Sequence, residues 1–199
     1  MRCLLPRDER NRIRKRLWSL RRLNLRVVKH TVYLSLGSNL DGRAANLREA
    51  VRRLEGFGEI TAKSSLYETE PVETEAQPWF LNCAIAMETE MTAQQFLATA
   101  LAIEQSMGRR RTRHKGPRTI DIDILFFNDS VEDSAALTIP HPALHQRRFV
   151  LEPLAEIAPD LRHPVLKRTV REMLDDLPST GGVVRKVDSN LDRNSEDSI

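Results

Sequence analysis

The order of its periodic segments predicts that this 199-residue chain folds as an α+β domain of pattern β-α-β-β-α-β. Strand-like stretches occupy residues 31–36, 60–67, 79–88 and 120–127, and apolar residues recur at helical spacing over 47–54 and 96–107. That split pattern is the ferredoxin-like one: a four-stranded antiparallel sheet with both helices on one face and the other face open.

The elements follow in order. The first strand is Thr31-Val32-Tyr33-Leu34-Ser35-Leu36, with a turn expected at Gly37-Ser38-Asn39. Leu47, Ala50, Val51 and Leu54 then fall on one helix face, and Gly56 and Gly58 stop that helix. Residues 60–67 read as a single strand, and 70–78 are too polar and proline-broken to be other than a loop. From Trp79 to Glu88, Trp79, Leu81, Cys83, Ile85 and Met87 alternate with Phe80, Asn82, Ala84 and Ala86, so the second face carries one polar residue, Asn82. Thr92-Ala93-Gln94-Gln95 has capping-box form, and Phe96, Leu97, Ala100, Leu101, Ile103 and Met107 continue as a helix that Gly108 ends. Beyond the last core strand the sequence predicts a polar loop or short hairpin over 128–136, helices near 149–157 and 167–177, and a short strand at 183–187. Residues 31–187 form the domain, and 188–199 read as a disordered tail.

Charge is unevenly spread. Residues 1–30 hold eleven Lys/Arg against two acids, or +9, whereas residues 31–199 hold 20 bases against 26 acids, or −6. A nucleic-acid reading would therefore rest on the basic extension alone. That extension is open to three readings: a translated leader or over-long start, a solvated or partner-binding arm, or a membrane-surface or RNA-binding helix. Cys3 and Cys83 give neither a disulfide framework nor a CxxC site, no apolar run is long enough to span a membrane, and a cytoplasmic location is expected.

The chemistry concentrates at Gly116-Pro117-Arg118-Thr119-Ile120-Asp121-Ile122-Asp123-Ile124-Leu125-Phe126-Phe127. Strand alternation puts Asp121 and Asp123 on one face, with Ile120, Ile122, Ile124 and Phe126 expected on the other. At a rise of roughly 3.3 Å per residue the carboxylates stand about 6–7 Å apart, which suits one or two hard cations, Mg²⁺ rather than zinc. Before them run Arg109, Arg110, Arg111, Arg113, His114, Lys115 and Arg118 without an acid, and after them His141, His145, Arg147 and Arg148. A charge run alone is an ordinary solvated loop. Joined to metal-binding carboxylates, it is what transfer of a phosphoryl group from a nucleotide requires. There is no GxxxxGK[ST] and no GxGxxG, so arginines and metal must hold the phosphates. Phe80 with Asn82 offers a stacking face and an amide to a flat heteroaromatic ring; a core Phe and a capping Asn are the plain alternative.

These residues resemble those of the 6-hydroxymethyl-7,8-dihydropterin pyrophosphokinase family. The matching segments are YLSLGSNL (33–40), SSLYETEPV (64–72), QPWFLNCAIAMET (77–89), GRRRTRHKGPRTIDIDIL (108–125) and IPHPALHQRRFVLEPLAEIAP (139–159). The resemblance implies a Mg²⁺-dependent enzyme of folate biosynthesis, taking ATP and the pterin alcohol as substrates; apart from it, no nucleic-acid or membrane partner is expected, and a monomer is expected. It implies that Asp121 and Asp123 bind two Mg²⁺ ions and that Arg109 and Arg111 belong to a catalytic loop. Glu104, Arg118, Ile124, Thr138, His141 and Arg147 would serve ATP, and Thr69, Glu70, Val72, Phe80, Asn82 and Phe149 the pterin. Four positions depart from the family's habit: Phe80 for Tyr, Lys115 for Trp, Glu70 for Pro, and Leu101 for a polar residue. Two other classes compete with this reading. An RNA-binding module on an open ferredoxin-like sheet would need aromatics where this chain has aspartates. A catalytically weakened paralogue would draw on the departures at Lys115 and Glu70.

Overall fold

The computed structural model describes residues 28–71, 77–108, 116–178, 184–187 and 191. The basic extension up to residue 27 and most of the tail lie outside these residues, although Leu191 is buried in the core. Five strands form the main path of one antiparallel sheet: β1 (His30–Ser38), β3 (Leu66–Thr69), β4 (Phe80–Thr89), β5 (Asp121–Phe127) and β8 (Val184–Val187), in the order β5-β1-β4-β3-β8. A sixth strand, β2 (Glu59–Lys63), pairs with the far half of β4. The central four-strand order is the one expected of the split pattern, with β8 added beyond β3.

Helices α1 (Arg43–Leu54) and α2 (Ala93–Ser106) cover one face. Val32, Leu34 and Leu36 from β1, and Leu81, Cys83, Ile85 and Met87 from β4, pack there against Leu47, Val51, Leu54 and Phe96. The capping box forms as its sequence predicts: Thr92 accepts from the Gln95 amide, and the Gln95 side chain accepts from the Thr92 amide. The other face is divided. Helices α3 (Arg148–Ile157) and α4 (Val170–Asp175) cover one end, where Leu151, Leu154, Val170 and Met173 pack on Ala84, Leu125 and Phe126. The opposite end, at the Gly37, Asn82 and Asp121 positions, stays open as a cleft. The polar segment after β5 forms the short hairpin β6 (Glu132–Asp133) and β7 (Thr138–Ile139).

Three local expectations are corrected. Strand β1 continues through Gly37 to Ser38, so the positive-φ turn residue is Gly42 (φ 74°), which precedes α1. Phe126 does not share a face with Ile124. Leu34 pairs with Ile124 and Tyr33 with Phe126, which leaves Leu125 as an extra residue, and this β-bulge turns Phe126 onto the aspartate face. There Phe126 meets Tyr33 and His163 edge to face, at centroid distances of 6.3 and 5.7 Å. The single strand expected over 60–67 is broken at Ser64-Ser65. Ser64 still donates its backbone N–H to Ala84 O (2.9 Å), but Ala84 N–H donates to the Ser64 hydroxyl oxygen (2.8 Å), so a side chain replaces a carbonyl in the ladder.

Ser64 is buried, and its hydroxyl in turn donates to Ser65 O at 2.8 Å. Ser64→Ala leaves the buried Ala84 N–H without that acceptor and should cost about 1–3 kcal/mol. Urea unfolding should show a lower midpoint with an unchanged m-value.

Candidate active site

Register assembles the cleft. In antiparallel pairs, directly opposed residues share a face, so Asp121, Gly37, Asn82 and Tyr67 form one row across β5, β1, β4 and β3. Asp123, Ser35 and Ala84 form the next row. β1 thus contributes only Gly37 and Ser35 beside the two carboxylates, and the space they leave belongs to the cleft, which holds about 870 Å³ with its open mouth included. Its walls are Thr69, Glu70 and Pro71 from the end of β3, Gln77, Phe80 and Asn82 at the start of β4, Arg118 ahead of β5, and Arg147 and Phe149 at the start of α3.

Each side chain is held. Asn82 is 3% exposed and donates from Nδ2 to the Thr69 hydroxyl at 2.7 Å, which leaves Oδ1 lying over Gly37. A Cβ on residue 37 would stand 2.6 Å from that oxygen, so any larger residue here must displace the Asn82 amide. Arg118 forms an ion pair with Asp121. The Arg147 guanidinium lies over the Phe149 ring, 5.7 Å from its centroid. His141 accepts the Ala143 N–H at Nδ1 (3.2 Å), which puts the ring proton on Nε2. Burial first, and the Arg147 charge second, push its pKa down to about 4, so the imidazole is neutral at pH 7.

The expected nucleotide residues divide into two groups. Arg118, Arg147, Asp121 and Asp123 line the cleft on the sheet face. Glu104, Ile124, Thr138 and His141 instead follow the outer edge of β5. Glu104 is 3% exposed, and its Oε1 accepts the Ile122 N–H at 2.8 Å. The alternation that turns the Ile122 amide outward does the same for Ile124, whose side chain packs in the helix-side core. His141 N–H bonds Leu125 O at 3.0 Å, and the β7 residue Thr138 bonds Asp133 across its own hairpin. Of the expected pterin residues, Thr69, Glu70, Phe80, Asn82 and Phe149 meet at the cleft. Arg109, Arg111 and Val72, together with Lys115, lie outside the described residues.

Sequence reasoning missed Ser35, Gly37 and Gln77 as parts of this site. Alternation could have placed Ser35 and Gly37 on the aspartate face, but nothing local in the sequence signals Gln77.

Among the described residues no three His, Cys, Asp or Glu side chains gather as a metal-binding group. Two carboxylates on one face, with room beside them, suit a Mg²⁺ ion that completes its shell with water and phosphate oxygens. Among the described residues no helix is long and apolar enough to cross a membrane.

Residues 33–159 match the family model described as 7,8-dihydro-6-hydroxymethylpterin-pyrophosphokinase (HPPK). The 2-amino-4-hydroxy-6-hydroxymethyldihydropteridine pyrophosphokinase of Methylorubrum extorquens is 44% identical over 151 residues, covering 75% of this chain and 94% of that protein. A folic acid synthesis protein of Schizosaccharomyces pombe is 44% identical over 152 residues, but the chain spans only 21% of its length. Wild-type HPPK-DHPS from Plasmodium falciparum superposes with a TM-score of 0.60 at 18% identity, over 74% of this chain and 44% of that one, which is a likeness of fold.

The depressed His141 pKa gives a pH dependence whose sign is fixed. Between about pH 6.5 and 4 the unfolded chain binds a proton that the folded one refuses, so stability is lost as pH falls through that window. From pH 7 to 5 the metal-free protein should lose on the order of 1–2 kcal/mol more than His141→Asn, read from urea midpoints at each pH.

Proposed function

The chain belongs to the 7,8-dihydro-6-hydroxymethylpterin-pyrophosphokinase family, and from that membership we propose that it transfers a pyrophosphoryl group from ATP to the hydroxymethyl oxygen of 6-hydroxymethyl-7,8-dihydropterin. AMP leaves, and the product enters tetrahydrofolate biosynthesis in the cytoplasm. The functional unit is residues 31–187, working as a monomer.

The row Asp121, Gly37, Asn82 carries this reading. Strands lie about 4.8 Å apart, so the carboxylate and the amide stand roughly 10 Å apart across a glycine. That span suits a two-ring heterocycle with a one-carbon arm, read at one end by Asn82 and presented at the other to the phosphate chain. Because Nδ2 is committed to Thr69, Asn82 offers its Oδ1 as the acceptor for the ring's amino edge. Phe80 on the sheet and Phe149 on the covering helix supply stacking faces. For ATP, the edge group of Glu104, Ile124, Thr138 and His141 receives the nucleoside while Arg118 and Arg147 meet the phosphates on the face. Neutral His141 donates a hydrogen bond from Nε2 without being a proton source.

Asp121 and Asp123 would hold two Mg²⁺ ions, which when bound neutralise phosphate charge and acidify the attacking alcohol. Arg118, paired with Asp121, is the guanidinium that would meet a phosphate oxygen beside that carboxylate. The alcohol oxygen attacks the β-phosphorus in line and gives up its proton, for which Asp123 is one candidate acceptor, and the α-phosphate oxygen departs with AMP. Arg109 and Arg111 would add positive charge for the phosphates.

Incubation with ATP, Mg²⁺ and the pterin alcohol should release AMP, and no AMP above background ends this reading. Asp121→Asn or Asp123→Asn should lower turnover by roughly a thousandfold with the thermal midpoint unchanged. EDTA should abolish turnover in the wild type, and excess Mg²⁺ should restore it. Gly37→Ala, by displacing the Asn82 amide, should raise KM for the pterin about tenfold while KM for ATP stays within threefold. An unaltered pterin KM would show that Asn82 does not read the ring.

A further inference from the structure

Asn39 is 2% exposed, follows directly on β1, and makes four hydrogen bonds to two remote segments. Toward the β5 side, its backbone N–H donates to Arg118 O (3.2 Å) and its Oδ1 accepts the Arg118 N–H (2.8 Å). Toward the β4 side, its Nδ2 donates to Gln77 Oε1 (3.3 Å) and to Pro78 O (3.4 Å). The amide orientation is fixed by main-chain partners, because Arg118 N–H can only donate and Pro78 C=O can only accept. A carboxylate could answer the first partner and a hydroxyl could not span both, so a carboxamide is the group that bridges them.

A buried Asn beside a turn most often braces its own loop, but here that work is done elsewhere. Asn46 closes residues 38–42 by donating its backbone N–H to Gly42 O (2.9 Å) and its Nδ2 to Ser38 Oγ and Asp41 O (both 3.2 Å). Asn39 is left for the distant segments. Both of them bear on the cleft: Arg118 precedes Asp121 and Asp123, and Gln77-Pro78 precedes Phe80 and Asn82.

We propose that Asn39 is a positioning residue that sets the separation between the phosphate wall of the cleft and the ring-reading wall. The proposal rests on the two-substrate reading above. Each substrate alone sits largely on one wall and tolerates a small displacement of the other. The reaction does not, since the attacking oxygen and phosphorus must approach within roughly 3–3.5 Å, and a misplacement of about 1 Å can cost ~100-fold. Loss of Asn39 should therefore appear in kcat rather than in the binding of either substrate.

The test uses the full chain with Asn39→Asp, which keeps the acceptor for Arg118 but sets an oxygen against Gln77 Oε1 and Pro78 O. Calorimetric titrations with the pterin alone, and with Mg²⁺ and a non-hydrolysable ATP analogue alone, are compared with kcat. We expect kcat to fall between tenfold and a hundredfold while each binary Kd changes less than threefold. A kcat within twofold of wild type overturns the proposal, as does a kcat lost only in proportion to both affinities, which marks a merely structural residue. If Asn39→Asp does not melt cooperatively, Gln77→Leu is the second variant. It removes a side-chain acceptor of the Asn39 amide, and a kcat reduced at least threefold beyond any change in the two Kd values is expected, a kcat that only follows those Kd values being contrary. A wild-type protein that makes no AMP would remove the two-substrate reading itself, whatever the variants show.

Discussion

The double pairing of β1 is the constraint on which everything else depends. This strand is hydrogen-bonded on one side to β4 and on the other to β5, and both registers meet at Gly37. A slip of one residue in either ladder would turn Asn82 or Asp121 into the helix-side core. The buried apolar residues of β1 hold the register, since Val32, Leu34 and Leu36 are fully enclosed under α1 and α2. Hydrophobic packing on one face of the sheet thus places polar chemistry on the other.

The covering helices complete the cleft by a different means. Glu156, near the end of α3, accepts from the Ser65 amide and hydroxyl, the Tyr67 hydroxyl (2.9 Å) and the Lys186 ammonium. These bonds hold its pKa below the usual carboxylate range even though burial opposes that. The same carboxylate, burial foremost, raises the Tyr67 phenol. α3 is therefore fastened to β3 and β8 at one end, and its other end presents Arg147 and Phe149 to the cleft.

Much of this was legible in the sequence because the strongest signals are periodic. Alternation over 79–88 separated Phe80 and Asn82 from the core side, and alternation at 121–123 paired the aspartates. Periodicity failed where one residue breaks it. The bulge at Leu125 reversed Phe126, and the Ser64-Ser65 interruption was invisible because a serine hydroxyl took the place of a carbonyl. Gly37 looked like a turn glycine because turns are the commonest reason for glycine; its actual reason is an amide oxygen from a strand over forty residues away. Asn39 and Glu104 show the same limit. Both are buried polar side chains that bond main-chain groups of remote segments, and a bond of that kind leaves no mark on local sequence.

The outer side of β5 has a consequence for how the protein keeps company with itself. An edge strand with unpaired amides and carbonyls is a template on which another chain can crystallise as a further strand. Here the Ile122 amide is already committed to Glu104 and the Leu125 carbonyl to His141, so part of the edge is taken up from within. The side from which a nucleotide would approach is thereby poorly suited to intermolecular sheet growth, and crowding at high concentration is not expected to seal it.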